Sequence, residues 1–199
     1  MFSVVDIATC RLTTKWGDAA CDVFRFQSGR EQLTLRFGDG LSTVADGVLT
    51  RIQSECLTGE VLGSMHCDCG GQLAQALKTI SLSNDGGILI YLRGHEGRGI
   101  GIFDKIRAYE RQTGLGEDTV DANVNLGLPI DARNYYEAIS ILRYYGVVSV
   151  RLMTNNPLKV MALEGGGITV SERVPHSASV DHPIAERYLE TKRSRMGHN

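Results

Sequence analysis

Three of the chain's five cysteines, Cys56, Cys67 and Cys69, fall in one stretch with the spacing C-x10-C-x-C. Gly59, Gly63, Gly70 and Gly71 lie between and beside them and let the backbone fold back on itself. Thiolates are soft ligands that suit Zn2+, and a tetrahedral zinc held by three protein groups keeps a fourth position for chemistry. The plain alternative is three reduced cysteines in a buried turn. His66 directly precedes Cys67, so in an extended segment it points the other way and is expected outside the ligand set.

A second chemical signal is RGHEGRGIG, residues 93–101, between the apolar run ILIYL and a helical pattern carried by Ile102, Phe103, Ile106 and Tyr109. A strand, a glycine loop and a helix N-terminus make an anion cradle, because free backbone N–H groups and the helix dipole face the loop. Arg93 and Arg98 add full charges. No G-x-G-x-x-G with a following acidic partner is present, which excludes a dinucleotide fold. Thr154 and Lys159 occupy the end of a predicted strand and the first turn of the next helix, the ligand-facing side of such sheets.

The elements that must position these groups follow from periodicity. The first fifty or so residues alternate in short runs (ACDVFRF, QLTLRF, VADGVLTRI) with turn signals at Trp16-Gly17-Asp18, Ser28-Gly29 and Gly38-Asp39-Gly40, an antiparallel β meander packed on Trp16. Leu73, Ala76, Leu77 and Ile80 recur at helical spacing and stop at Asn84-Asp85-Gly86-Gly87. Residues 113–133 read as a long irregular loop, of the kind that carries function. NYYEAISILRYYG is a helix, VVSVRLM a strand, Asn155 or Asn156 caps a helix with Pro157 at its first position, and ITVSERV is a parallel strand. PIAERYLETKRSRMGHN closes the chain as a charged surface helix and tail. The expected class is α/β: a mixed sheet flanked by helices with an N-terminal antiparallel meander, in a single domain over residues 1–199.

Composition narrows the partners. Net charge is −2 with both signs mixed along the chain, so there is no electrostatic footprint for nucleic acid and a small ligand is expected. Without a signal-peptide pattern or an apolar run of about 18 residues, the expectation is a soluble cytoplasmic protein with no membrane partner. An odd cysteine count argues against a disulfide framework, leaving Cys10 and Cys21 as core residues.

RIQSECLTG, SMHCDCGGQL, RGHEGRGIG, KIRAY, DTVDAN, LGLPIDAR, LMTNNPLK and TKRSRMGH resemble, in the same order and at nearly the same spacing, GTP cyclohydrolase II; the likeness covers residues 11–198. The GHEGR form of the loop is similar to that of bifunctional riboflavin proteins, although 199 residues leave no room for their second domain. The resemblance implies opening of the imidazole ring of GTP, with loss of C8 as formate and release of pyrophosphate, at the entry to riboflavin biosynthesis. It implies one Zn2+ per subunit on Cys56, Cys67 and Cys69, activating the attacking water, with Mg2+ on the triphosphate, in a homodimer. By the same comparison Arg51, Ile52, Gln53, Ser54, Glu55, Gln72, Glu96, Gly97, Arg98, Thr119, Thr154 and Lys159 are the GTP-binding positions. Glu96 or Glu55 would take the paired N–H donors of guanine, and the arginines and lysine the phosphate oxygens. Asp131 and Arg133 match the proton acceptor and nucleophile, and Tyr109 a position beside the reacting ring. A guanidinium pKa above about 12 favours transition-state charge stabilisation over nucleophilic attack for Arg133. Two positions depart from the family pattern: Gln53 stands in place of histidine and His66 in place of arginine, lowering positive charge near the site. Two alternatives follow: a paralogue that stops at the formamidopyrimidine or takes another nucleotide, and a non-catalytic nucleotide-binding protein with structural zinc.

Overall fold

The structure, a computed structural model, describes residues 3–38, 47–178 and 182–197. The expected turn at Asp39-Gly40 and the tail residues His198 and Asn199 lie outside them. The chain divides into two compact units: residues 1–53, 74–93 and 134–176 form the first, residues 54–73, 94–133 and 177–199 the second.

The first unit is built on one seven-stranded sheet: β1 (Val4–Thr14), β2 (Gly17–Phe26), β3 (Glu31–Phe37), β4 (Val48–Ser54), β5 (Gly87–Leu92), β6 (Ser149–Met153) and β7 (Thr169–Val174), in the order β1-β2-β3-β5-β4-β6-β7. β1, β2, β3 and β5 pair antiparallel, through Cys10 opposite Cys21, Thr34 opposite Asp22 and Leu35 opposite Leu89. β4 with β6, and β6 with β7, pair parallel. The expected mixed sheet is therefore present, but the meander ends after β3. The fourth run, VLTRI, sits between β5 and β6 instead, because six of the seven residues of β4 are buried, the pattern of an interior strand closed on both faces. β1 lies at the other extreme: an edge strand, largely exposed, on which Cys10 faces solvent rather than the core.

Phe24, Phe26, Ile52, Ile88, Ile90 and Leu92 from the sheet pack with Ile141, Leu142 and Leu163 in one core. The latter three come from α6 (Tyr136–Tyr144) and α7 (Pro157–Gly165). Asn156 caps α7 by accepting from the Leu158 amide at 2.9 Å, with Pro157 at the first helical position, as the spacing predicts.

The second unit holds α1 (Leu57–Glu60), the first turn of α2 (Cys69–Ser81), the short turn α3 (Glu96–Gly99), α4 (Gly101–Leu115), α5 (Thr119–Asn125) and α8 (Pro183–Met196). Three expectations are corrected here. The region read as a loop contains α5, whose start is fixed by Asp118 accepting the Val120 and Asp121 amides. In α4, Ile102, Phe103 and Ile106 lie outward while Lys105 and Ala108 are buried and Tyr109 is half-buried against His66, so of the four residues that marked the helix only Tyr109 turns inward. α8 is also more than a surface helix: Ala185 and Thr191 are buried, and Arg195 bonds both Asp118 and Asp121. Among the described residues no helix is long and apolar enough to cross a membrane.

Candidate metal centre and active site

The backbone between β4 and α2 turns back so that the ligand atoms of Cys56, Cys67 and Cys69 lie within 4.8 Å of one another. Close approach depends on glycine: a Cβ at Gly59 would stand 2.8 Å from the Cys67 sulfur and 3.3 Å from that of Cys56. Cys56 and Cys67 sulfurs are 3.6 Å apart. A tetrahedral zinc with Zn–S distances of about 2.3 Å requires sulfur pairs about 3.8 Å apart, so the trio fits that ion. Without a cation the three cannot all ionise. Hydrogen bonds from Cys67 and then Cys69 hold the Cys56 thiol far below its ordinary range, against burial and with help from the Lys105 charge. Its hydrogen bond to Cys56 contributes most to pushing the Cys67 thiol up to about 11, and bonding to Cys56 and Cys67 raises Cys69 as well. His66 stays out of the sulfur group, its ring against Tyr109 at 4.5 Å. Burial, then the charges of His182 and Lys105, lowers its pKa, which keeps it neutral.

A cavity beside the sulfurs is lined by Ser54, Glu55, Gly97, Arg98, Tyr109, Thr119 and Arg133 among the expected residues. Two more cavity residues, His95 and Lys105, escaped the sequence reading. His95 is buried and meets Ser54 at 3.2 Å. Lys105 stands in the KIRAY motif, where a single lysine on an apparently amphipathic helix gives no signal of burial.

Arg98 is the most unusual of the group. It is 8% exposed and adopts φ 64°, a left-handed conformation that non-glycine residues rarely occupy. Both terminal nitrogens of its guanidinium lack a hydrogen-bond partner among the described residues. The guanidinium lies 5.5 Å from the centre of the Tyr188 ring, so its charge has an aromatic face beside it while its terminal N–H groups stay open to an acceptor. The expected strand, glycine loop and helix is thus realised by β5, α3 and α4, with the left-handed turn at Gly97 and Arg98 placing the charge.

Arg133 is held in a fork by Asp131, Nε to Oδ1 at 2.9 Å and Nη2 to Oδ2 at 2.5 Å, and reaches Ser54 Oγ at 3.4 Å. Burial alone would push Asp131 up, but hydrogen bonds and charge from Arg133 hold its carboxyl below the usual carboxylate range. Glu96 is buried with both carboxylate oxygens engaged, one by Lys105 and the other by the Leu57 amide at 2.6 Å. Glu55 accepts the Gly94 amide at 2.6 Å and lines the cavity. Gln72 donates to Asp68 at 2.5 Å and does not line it.

The remaining expected residues come together in the first unit. Arg51 donates to Gln53 and to the Met153 carbonyl, each at 2.9 Å, and Lys159 donates to the Ile52 carbonyl at 2.7 Å. Thr154 Oγ1 accepts the Asn156 amide at 3.0 Å. Arg51, Gln53, Thr154 and Lys159 are all buried, and the Ile52 side chain belongs to the core, leaving only its backbone for a ligand.

The family model of GTP cyclohydrolase II matches residues 5–175. The chain belongs to the GTP cyclohydrolase II family. GTP cyclohydrolase-2 of Neisseria meningitidis serogroup A is 48% identical over 194 residues, covering 96% of this chain and 94% of that protein. Riboflavin biosynthesis protein RibBA of Salinispora tropica is 49% identical over 195 residues, 96% of this chain and 47% of that protein. A probable monofunctional riboflavin biosynthesis protein of rice is 50% identical over 203 residues, 96% of this chain and 35% of that protein. The chain thus spans less than half of two of these relatives and nearly all of the third.

In this GTP cyclohydrolase II family member the sulfur loop is anchored from below. Asp68, between two of the cysteines, is 2% exposed and accepts from Lys192 of α8 at 3.0 Å. Lys192→Met is expected to lower stability by about 3 kcal/mol, because the buried Asp68 carboxylate keeps only the neutral Gln72 donor among the described residues, while Asp68→Leu with Lys192→Met restores part of the loss. Urea unfolding of the single and double variants measures both.

Proposed function

We propose that the chain is a zinc-dependent GTP cyclohydrolase that opens the imidazole ring of GTP and releases formate and pyrophosphate. The product would be 2,5-diamino-6-(5-phosphoribosylamino)pyrimidin-4-one, at the start of riboflavin biosynthesis. The observation that carries this reading is the buried Arg98 guanidinium, its terminal nitrogens without hydrogen-bond partners among the described residues, on the same cavity as the three clustered sulfurs. A site for a thiophilic metal beside a site for an anion suits hydrolysis of a nucleotide better than either feature alone.

Cys56, Cys67 and Cys69 would hold the zinc, which when bound supplies Lewis acidity that activates water for attack on C8. Glu55 is the better placed carboxylate for the guanine N–H pair, since Glu96 is committed to Lys105 and Leu57. Arg98 and Arg133 take phosphate oxygens, and Arg133 steadies charge as pyrophosphate leaves. Asp131 keeps that guanidinium aimed. Tyr109, against the cysteine loop, positions water or the opened ring; burial raises its pKa, so it acts as a neutral hydroxyl. Arg51, Ile52, Gln53, Ser54, Gln72, Gly97, Thr119, Thr154 and Lys159 complete the nucleotide-binding set on the strength of the family resemblance. We further propose Mg2+ with the triphosphate and a single-domain, cytoplasmic homodimer.

Incubation of zinc-loaded protein with GTP and Mg2+ is expected to release formate and pyrophosphate in equal amounts together with the diaminopyrimidine. Separate quantification of the two, with mass spectrometry of the pyrimidine, checks this. Pyrophosphate without formate would mark a reaction stopped at the formamidopyrimidine, and neither product would overturn the reading.

A further inference from the structure

Lys105 has a burial that the proposed reaction leaves unused. The residue is 7% exposed on the inward face of α4. Its ammonium donates to Cys56 Sγ at 3.1 Å, to Thr58 Oγ1 at 2.8 Å and to Glu96. An ammonium has three donors, and all three are directed at named acceptors. Taking such an ion out of water costs several kcal/mol, and a methionine of similar length would fill the same volume without that cost. The placement therefore asks for a reason beyond packing.

The sulfur contact supplies one. Three thiolates donate so much charge that a metal among them loses Lewis acidity; a charged N–H donor on one sulfur draws density back. The carboxylate contact supplies another. Glu96 opens the turn in which Gly97 and Arg98 both have positive φ, 59° and 64°. A Cβ at Gly97 would stand 3.0 Å from Lys105 Cβ and 2.8 Å from Ile100, so the turn is pressed closely against the lysine. Glu96 also takes the Leu57 amide, the residue after Cys56. One ammonium thus ties a sulfur of the trio to the turn that presents the buried guanidinium.

We propose that Lys105 is a positioning residue for the metal centre: it tunes the donor strength of Cys56 and, through Glu96, sets the turn carrying Arg98. This rests on the reading that the three cysteines hold a metal. The same N–H contacts would serve any thiophilic divalent ion, so Co2+ is the probe, because its sulfur-to-metal charge-transfer band reports thiolate donation directly.

Lys105→Met removes donor and charge; Lys105→Gln keeps an N–H donor and removes the charge. For Lys105→Met the band is expected to move to longer wavelength, because the Cys56 sulfur donates more strongly without the ammonium, and the Co2+ dissociation constant, measured by chelator competition, to rise about 10- to 100-fold, because the sulfur is no longer tied in place to Thr58 and Glu96. Lys105→Gln is expected to fall between it and the unmodified protein. Circular dichroism reports folding of each variant, and if Lys105→Met does not fold, the shift in Lys105→Gln decides. Folded variants with an unchanged band and unchanged affinity would overturn the proposal, as would failure of both variants to fold, which would make Lys105 a purely structural ion. Absence of Co2+ binding by the unmodified protein would instead bring down the metal reading itself, and this inference with it.

Discussion

Cys67→Ser is expected to yield a folded protein that retains no zinc and releases no measurable formate from GTP. Serine occupies nearly the same volume, but its hydroxyl stays protonated at neutral pH and cannot replace a thiolate in the trio. The second unit keeps its other ties: Lys192 on Asp68, Glu96 on the Leu57 amide and Arg195 on Asp118 and Asp121. Losing several kcal/mol of Lewis-acid stabilisation corresponds to a rate loss of about 1,000-fold or more. Zinc content by mass spectrometry, circular dichroism and a formate assay on one preparation separate the outcomes. A structural zinc predicts instead that the same substitution unfolds the protein. Loss of helical signal alongside loss of metal would favour that alternative.

Arg133→Ala is expected to reduce both formate and pyrophosphate release by about 100- to 1,000-fold, the usual consequence of deleting one preorganised charge at a transition state. Arg133→Lys should recover only part, because an ammonium is a point charge and cannot reproduce the fork that Asp131 holds. The geometry favours an electrostatic role over a covalent one. Asp131 stays ionised through neutral pH, its pKa held low despite burial, and an anion in a bidentate pair stabilises the protonated guanidinium. A nucleophilic arginine needs that proton removed. Rapid quench with radiolabelled GTP is therefore expected to show no nucleotide attached to Arg133. A trapped adduct would assign it the attacking role.

How far residues alone led can be judged from particular elements. The interior strand β5 is a nearly uninterrupted apolar run, and α7 carries both its asparagine cap and its proline, so each was legible from local chemistry, whereas β4 was legible as a strand but not in its interior place. α4 was legible as a helix but not in orientation. Its apolar residues Ile102, Phe103 and Ile106 look like a core face, yet the buried positions belong to Lys105 and Ala108. Periodicity measures only where apolar groups recur, and a site that buries an ammonium among acceptors inverts the pattern. α5 was missed because seven residues rich in Asn and Asp have little helical propensity; the Asp118 cap and the Arg195 bridge supply what propensity does not.

The residue order by itself determined the α/β class, and it named the three cysteines as a candidate soft, three-ligand set and the glycine loop between strand and helix. Only the tertiary structure decided that the sulfurs approach to within 4.8 Å of one another, that Glu96 serves Lys105 rather than solvent, and that Arg98 is buried with its terminal nitrogens lacking hydrogen-bond partners among the described residues. The physical reason is that ligand type is a property of one side chain, whereas burial and pairing are properties of its neighbours. Those neighbours come from segments tens of residues apart, Cys56 with Lys105 and Asp68 with Lys192, and no local pattern encodes such encounters.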